Sequence, residues 1–301
     1  MNYKRIVVAE TAYYHCVSQT RGQDMLLNDK EKQKLWGIIE NVSKFSGVEV
    51  KTYCLLDNQF HMIVKVPKWR EVDDAELVQR MRFLYGNEKT DMRLASWELW
   101  TAGGSPDKVS EAKANLRRRM FNLSDFFKTF KERFSKDFNA RKGCTGCFWS
   151  ERFKSILLEP ESKILSEIGA YIDLGPVREK KTEKAEDYTF SGLGSATRGV
   201  VSAIHGLREL LDPRGDKHRS NAEVLKDYKR IIYGKDTKDE LRRPRRDFIV
   251  GAAIGTLKFV GNVLGTILGG IDDFRADAYQ KLRGGGTGGY YHARCVNNSK
   301  K

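Results

Sequence analysis

Cysteine is scarce in this chain of 301 residues: there are five, an odd number scattered along its length. That excludes the paired framework of a small disulfide-stapled secreted domain and points to a reducing compartment, the cytoplasm. A targeting segment is also missing from the expected organisation. Met1 to Glu10 places Lys4 and Arg5 before only a short apolar run, Ile6 to Ala9, so no secretory signal peptide is expected. No long hydrophobic stretch is free of charge. Phe248 to Ile271 has the length to span a bilayer, but Lys258 sits near its centre and Asn262 follows. A central Lys costs ~2.5–3.5 kcal/mol on insertion, and glycines return little apolar transfer energy, so a buried helix or helix pair is expected and a membrane partner is not. No internal repeat is visible, which excludes a solenoid. GxSxG and HExxH are both absent, Cys144-x-x-Cys147 has no second ligand pair at zinc-site spacing, and the glycine run at 284–289 lacks the GK[ST] ending of a phosphate-binding loop.

What the sequence has in excess is positive charge. Its 54 Lys and Arg against 40 Asp and Glu leave a net +14, and 40% of residues are hydrophobic, too many for a disordered chain and too few for a multi-pass membrane protein. Such a surplus points to a polyanion, nucleic acid being the commonest. The clusters Arg117-Arg118-Arg119 and Arg242, Arg243, Arg245, Arg246 strengthen that expectation.

Periodicity divides the chain. TAYYHCVSQ (11–19) reads as a strand ending at Arg21-Gly22; Asn28 or Asp29 caps an amphipathic helix whose apolar residues recur at Leu35, Ile38, Ile39, Val42 and Phe45 up to Gly47. Residues 48–56 and 59–66 form a hairpin about Asp57-Asn58. Asp74 to Tyr85, Asp91 to Trp100 and Ser110 to Phe138 are helical in pattern. A short strand over 147–159, a helix over 161–174 stopped at Gly175-Pro176, an irregular stretch over 177–200, and helices over 203–211 and 221–233 complete the reading.

The informative stretch is LLDNQFHMIVKVP (55–67). Alternation along a strand puts Gln59 and His61 on one face and Phe60, Met62 and Val64 on the other. An amide and an imidazole side by side can partly coordinate a divalent cation, or simply form an ordinary exposed strand face.

This segment resembles the HUH strand of the REP-associated tyrosine transposases, single-tyrosine HUH transposases with an IS200-like domain, in which an Asn precedes His-hydrophobic-His. Here Asn58 and His61 match and Gln59 replaces the first histidine. AYYHCVSQTRG (12–22), SGVEVKTYCLL (46–56), CFWSERFKSILLE (147–159), AYIDLGPVR (170–178) and EDYTFSGLG (186–194) are similar to further family segments in the same order. The resemblance implies an α+β fold, an HUH-type antiparallel sheet of ferredoxin-like or RRM-like kind flanked by helices. It implies a transposase-like domain over residues 1–200 with a helical insertion at about 68–140, and leaves 201–301 as a basic, mainly helical C-terminal region without an assigned role, and the chain as a monomer or homodimer.

The resemblance also implies chemistry. Tyr171 matches the nucleophile that forms a 5′-phosphotyrosine on single-stranded DNA, with hairpin-forming strands as partners and Mg²⁺ or Mn²⁺ as cofactor. At the third metal-ligand position, four residues after Tyr171, Gly175 stands where the family has Asn. His61 and Gln59 remain, with Glu167, one helical turn before Tyr171, as the better substitute ligand; Asp173 projects away on a regular helix unless a frayed end brings it round, and His15 is a further candidate, expected more as a packed sheet histidine than a ligand. Cleavage is therefore expected to be weak or absent, the alternative being a catalytically inactive, domesticated DNA-binding protein. Arg21, Arg152, Lys154 and Arg178, each beside a family segment, are expected to contact phosphates, and Trp149 and Phe153 to belong to the core.

Overall fold

The computed structural model describes residues 6–23, 25–234, 248–249, 251–268, 279–281 and 290–293. The first hundred residues build as their periodicity dictates. β1 (Ala12–Gln19) leads to α1 (Asp29–Ser46), which opens on Asn28, whose side chain accepts from the Glu31 amide at 3.0 Å. It closes on Gly47 at φ 73°, where an added Cβ would lie 2.6 Å from the Phe121 ring, so glycine is required both for the left-handed turn and for the close approach. β2 (Glu49–Leu55) and β3 (Gln59–Val66) form the expected hairpin about Asp57-Asn58.

The insertion is helical: α2 (Asp74–Tyr85), α3 (Asn87–Ala102), α4 (Pro106–Arg117) and α5 (Leu123–Lys142). The apolar pattern of 110–138 is thus split in two. Phe121 takes a left-handed φ of 51° and donates its amide to the Ser46 carbonyl at 2.7 Å, while Asn122 caps α5 by accepting from the Ser124 and Asp125 amides. Periodicity missed this break because its determinant is a backbone contact to a helix end far away in sequence. Only 154–158 of the expected strand at 147–159 is β4 (Lys154–Leu158). α6 (Ser162–Asp173) is followed directly by the single turn α7 (Gly175–Arg178), so Gly175-Pro176 redirects the helix, with proline in the first turn where no amide donor is needed. Within 177–200, which patterning left irregular, α8 (Gly192–Thr197) forms.

α9 (Val201–Leu211) and α10 (Asn221–Tyr233) lie at their expected positions, and the C-terminal region adds β5 (Ala253–Gly255), α11 (Leu257–Leu268), β6 (Tyr279–Lys281) and β7 (Tyr291–Ala293). The strand order is β2-β3-β1-β4-β5-β7-β6. The sheet is antiparallel throughout except where β5 joins β4 in parallel, which makes the expected antiparallel sheet a mixed one. The fold class is α+β. No described helix is long and apolar enough to cross a membrane.

Pleating assigns each strand residue to one of two cores. Tyr14, Cys16, Phe60, Met62 and Val64 pack against α1 and the phenylalanine stripe of α5, Phe126, Phe127, Phe130 and Phe134. Tyr13, Cys54, Ile63, Ile156 and Leu158 pack under α6, α9 and α10. Leu165 and Leu207 share this second core, so side chains from both sides of residue 200 are buried together. The basic cluster Arg242 to Arg246 and the glycine run at 284–289 lie outside the described residues.

Candidate active site and nucleic-acid surface

β3 presents His61 on the second face, with Phe60, Met62 and Val64 on the first, as strand alternation requires. The antiparallel register pairs His15 with Ile63 and Val17 with His61, which makes the two histidines diagonal neighbours on the same face. Their rings stack with centroids 5.4 Å apart, and His15 Nε2 lies 3.2 Å from His61 Nδ1. His15 Nδ1 lies 2.7 Å from the carbonyl oxygen of Phe248. A carbonyl can only accept, so His15 Nδ1 carries its proton, His15 Nε2 accepts, and His61 Nδ1–H donates to it. His61 Nε2 is then the bare lone pair of the relay. Burial holds the His15 imidazole down to about 4, against an opposing hydrogen bond to Phe248, and pushes His61 well below its usual value, with the charges of His15 and Arg178 acting in the same direction.

α6 carries Tyr171 across this face. Tyr171 is only 2% exposed. The Arg178 guanidinium covers it at 3.9 Å from the centroid, His61 meets it edge-on with centroids 6.5 Å apart, and Phe248 does the same at 5.2 Å. The turn at Gly175-Pro176 brings Arg178 back so that its Nη1 donates to the Tyr171 carbonyl at 2.6 Å. Burial lowers the pKa of Arg178. α7 thus folds the Arg178 side chain over Tyr171. Asp173 faces away from Tyr171, as helix geometry requires: it accepts from Thr52 Oγ1 at 2.9 Å, Tyr228 Oη at 2.7 Å and the Leu193 amide at 2.8 Å, while burial pushes its carboxyl up to about 6.

Of the donors implied for a divalent cation, His61 keeps Nε2 free while Gln59 has hydrogen-bond partners of its own. Gln59 accepts from Gln19 Nε2 at 3.3 Å and donates to Glu179 Oε1 at 3.1 Å. Glu167 is buried on α6, where its charge acts on the Tyr290 hydroxyl. Gly175 offers no side-chain donor, and a Cβ there would lie 3.2 Å from Cys54 Sγ, 3.6 Å from Arg178 Nη2 and 3.7 Å from Leu56. The charge that reaches His61 from outside the histidine pair is the Arg178 cation. No group of three or more His, Cys, Asp or Glu among the described residues can hold a metal, and the free thiols of Cys144 and Cys147 are exposed.

The end of the sheet nearest Gln59 carries the other expected residues. The Thr20 amide donates to the Asn58 carbonyl and the Arg21 amide to the Phe148 carbonyl, drawing the end of β1, the hairpin turn and the approach to β4 together. Arg21, Arg152 and Lys154 are exposed there. Beside them a groove of about 690 Å³ runs between α5 and residues 146–153, with Lys128, Lys136 and Arg152 at its edges and Phe153 and Trp149 in its wall. Trp149 is 8% exposed and Phe153 stacks on Phe127 at 3.8 Å, so both are core rings. Two of the three arginines at 117–119 serve the insertion internally, Arg117 pairing with Asp74 at 2.5 Å and Arg119 donating to Tyr85 and Thr129. Sequence reasoning did not find the relay through His15 or the cover by Phe248. The Tyr-His pair at 14–15 was its trace in the sequence, but the strand register that aims His15 at His61 was not legible.

A tyrosine enclosed by an arginine and a neutral histidine pair, on one face of an α+β sheet beside exposed cations, is the chemical unit these elements build. No protein-family model matches the chain, and no curated protein matches it. One solved structure, a REP-associated tyrosine transposase bound to a REP hairpin, is similar with 14% identity and a TM-score of 0.40, over 66% of this chain and 86% of that one.

Proposed function

We propose that the chain binds hairpin-bearing single-stranded DNA as a tyrosine-transposase-type protein and that Tyr171 is its nucleophile. The observation that carries this reading is the meeting of Tyr171, Arg178 and His61 on one sheet face in a chain of net charge +14. In the step proposed, Tyr171 Oη bonds to phosphorus as the bond from phosphorus to the 3′ oxygen breaks. The 3′ oxygen ends with the proton that the phenol gives up, so the bond exchange needs no nucleotide cofactor. The strand reaches the site across Arg21, Arg152 and Lys154, which neutralise its phosphates. At 2% exposure Tyr171 has to be uncovered before a strand can reach it, and Phe248 is one of the groups that cover it.

The same burial, with Gln59 tied to Gln19 and Glu179, favours a second reading in which the protein binds DNA and does not cut it. Purified protein incubated with Mn²⁺ and labelled hairpin-bearing single-stranded DNA decides between them on a denaturing gel. A covalent adduct that disappears in Tyr171→Phe supports the nucleophile. Binding without an adduct selects the non-catalytic reading, and absence of both overturns the assignment to DNA.

A further inference from the structure

Resting on the reading of Tyr171 as nucleophile, we infer that this site handles the scissile phosphate without a divalent cation, and that the Arg178 guanidinium supplies the charge a metal would otherwise supply. Three observations converge on this. Few donors remain at the ligand positions: Gly175 has no side chain, Gln59 uses both ends of its amide on Gln19 and Glu179, and His61, with Nδ1 on His15, offers Nε2 alone. A permanent cation already stands at the nucleophile. Arg178 lies 3.9 Å from the centre of the Tyr171 ring and is fixed there by its hydrogen bond to the Tyr171 carbonyl. A second, divalent charge beside it would be repelled, and the more so in a buried site where water screens little. Finally, the guanidinium is matched to the group it would meet, since its planar fork of N–H donors fits two phosphate oxygens at once and keeps its charge even where burial works against it.

The arrangement differs from metal catalysis in what it asks of the fold. A metal centre needs three or more converging donors, whereas one arginine needs only a turn that holds it over the nucleophile. Gly175-Pro176 supplies that turn, and α7, four residues long, carries Arg178 from the end of α6 back onto the Tyr171 ring. Position 175 lies against this mounting, since a Cβ there would lie 3.6 Å from Arg178 Nη2 and 3.2 Å from Cys54 Sγ.

Two measurements on the full chain test this. In the first, Mn²⁺ alone is titrated into the protein by calorimetry; no stoichiometric site is expected, and a single site abolished by His61→Ala overturns the inference without recourse to any activity. In the second, adduct formation on labelled hairpin-bearing single-stranded DNA is compared in EDTA and in Mn²⁺. Equal yields within about twofold are expected, and Arg178→Lys, which keeps a charge but loses the planar fork, should slow the reaction about 10²-fold. An adduct that forms only with Mn²⁺ overturns this inference and leaves Tyr171 as nucleophile. No adduct under either condition removes both. If Arg178→Lys unfolds, as seen by circular dichroism, the comparison of EDTA with Mn²⁺ in the unaltered protein still decides.

Discussion

Arg178 and Tyr171 are bound to each other twice, through the guanidinium over the ring at 3.9 Å and through Nη1 donating to the Tyr171 carbonyl at 2.6 Å. Arg178→Met keeps most of the apolar stem and removes both interactions. The variant should be destabilised by up to about 3.5–5 kcal/mol, the sum of a desolvated cation–π interaction and one charge-assisted hydrogen bond. Urea titration measures this, and an unchanged midpoint would mean that the arginine is held for function alone.

Asp173 ties three elements together, accepting from β2 through Thr52, from α8 through the Leu193 amide and from α10 through Tyr228. Asp173→Ala leaves three buried donors without an acceptor and should cost about 3–5 kcal/mol, whereas Asp173→Asn, which can still accept one bond and donate to the hydroxyls, should cost much less. Equal losses in the two variants would argue that packing volume, not hydrogen bonding, is what Asp173 supplies.

The same residue sets a pH dependence. Its folded value of about 6 lies above the ordinary 3.8, so between those values the folded state holds the proton more tightly, and this contribution to stability is lost as pH rises from about 4 to about 6. His15 acts oppositely: with a folded value near 4 against 6.5, its contribution is complete above 6.5 and is lost as pH falls toward 4, at most about 3 kcal/mol. Stability measured from pH 4 to 7 should therefore rise more steeply with pH in Asp173→Asn than in the parent, and less steeply in His15→Gln. Parallel curves for all three proteins would contradict the assignment.

Restoring the metal-ligand pattern by substitution meets a tight contact at position 175. A Cβ there meets Cys54 Sγ at 3.2 Å, so Gly175→Asn should lower stability by about 1–3 kcal/mol, and Cys54→Ala should recover part of the loss. Melting of the single and double variants checks this, strict additivity being the contrary result.

Arg21, Arg152 and Lys154 are exposed at one end of the sheet. Alanine at any of them should weaken single-stranded DNA binding regardless of sequence and reduce the salt slope by about 0.7 for each phosphate no longer neutralised. A variant that keeps the parental slope removes that residue from the binding surface.

The sequence by itself determined the parts whose causes are local. The cap at Asn28, the turn at Asp57-Asn58, the helix over 221–233 and the two-residue alternation that sets His61 apart from Phe60 and Met62 all follow from side-chain chemistry within a few residues of each position. The resemblance in AYIDLGPVR then pointed to Tyr171. What only the tertiary structure decided is how distant segments meet. The strand register that sets His15 diagonal to His61, the carbonyl of Phe248 that fixes the tautomers, the hydrogen bond from Phe121 to Ser46 that breaks the insertion and the turn that swings Arg178 over Tyr171 each join residues with no local signal for one another. The physical reason is that periodicity encodes which face of an element is buried, but not which neighbour buries it.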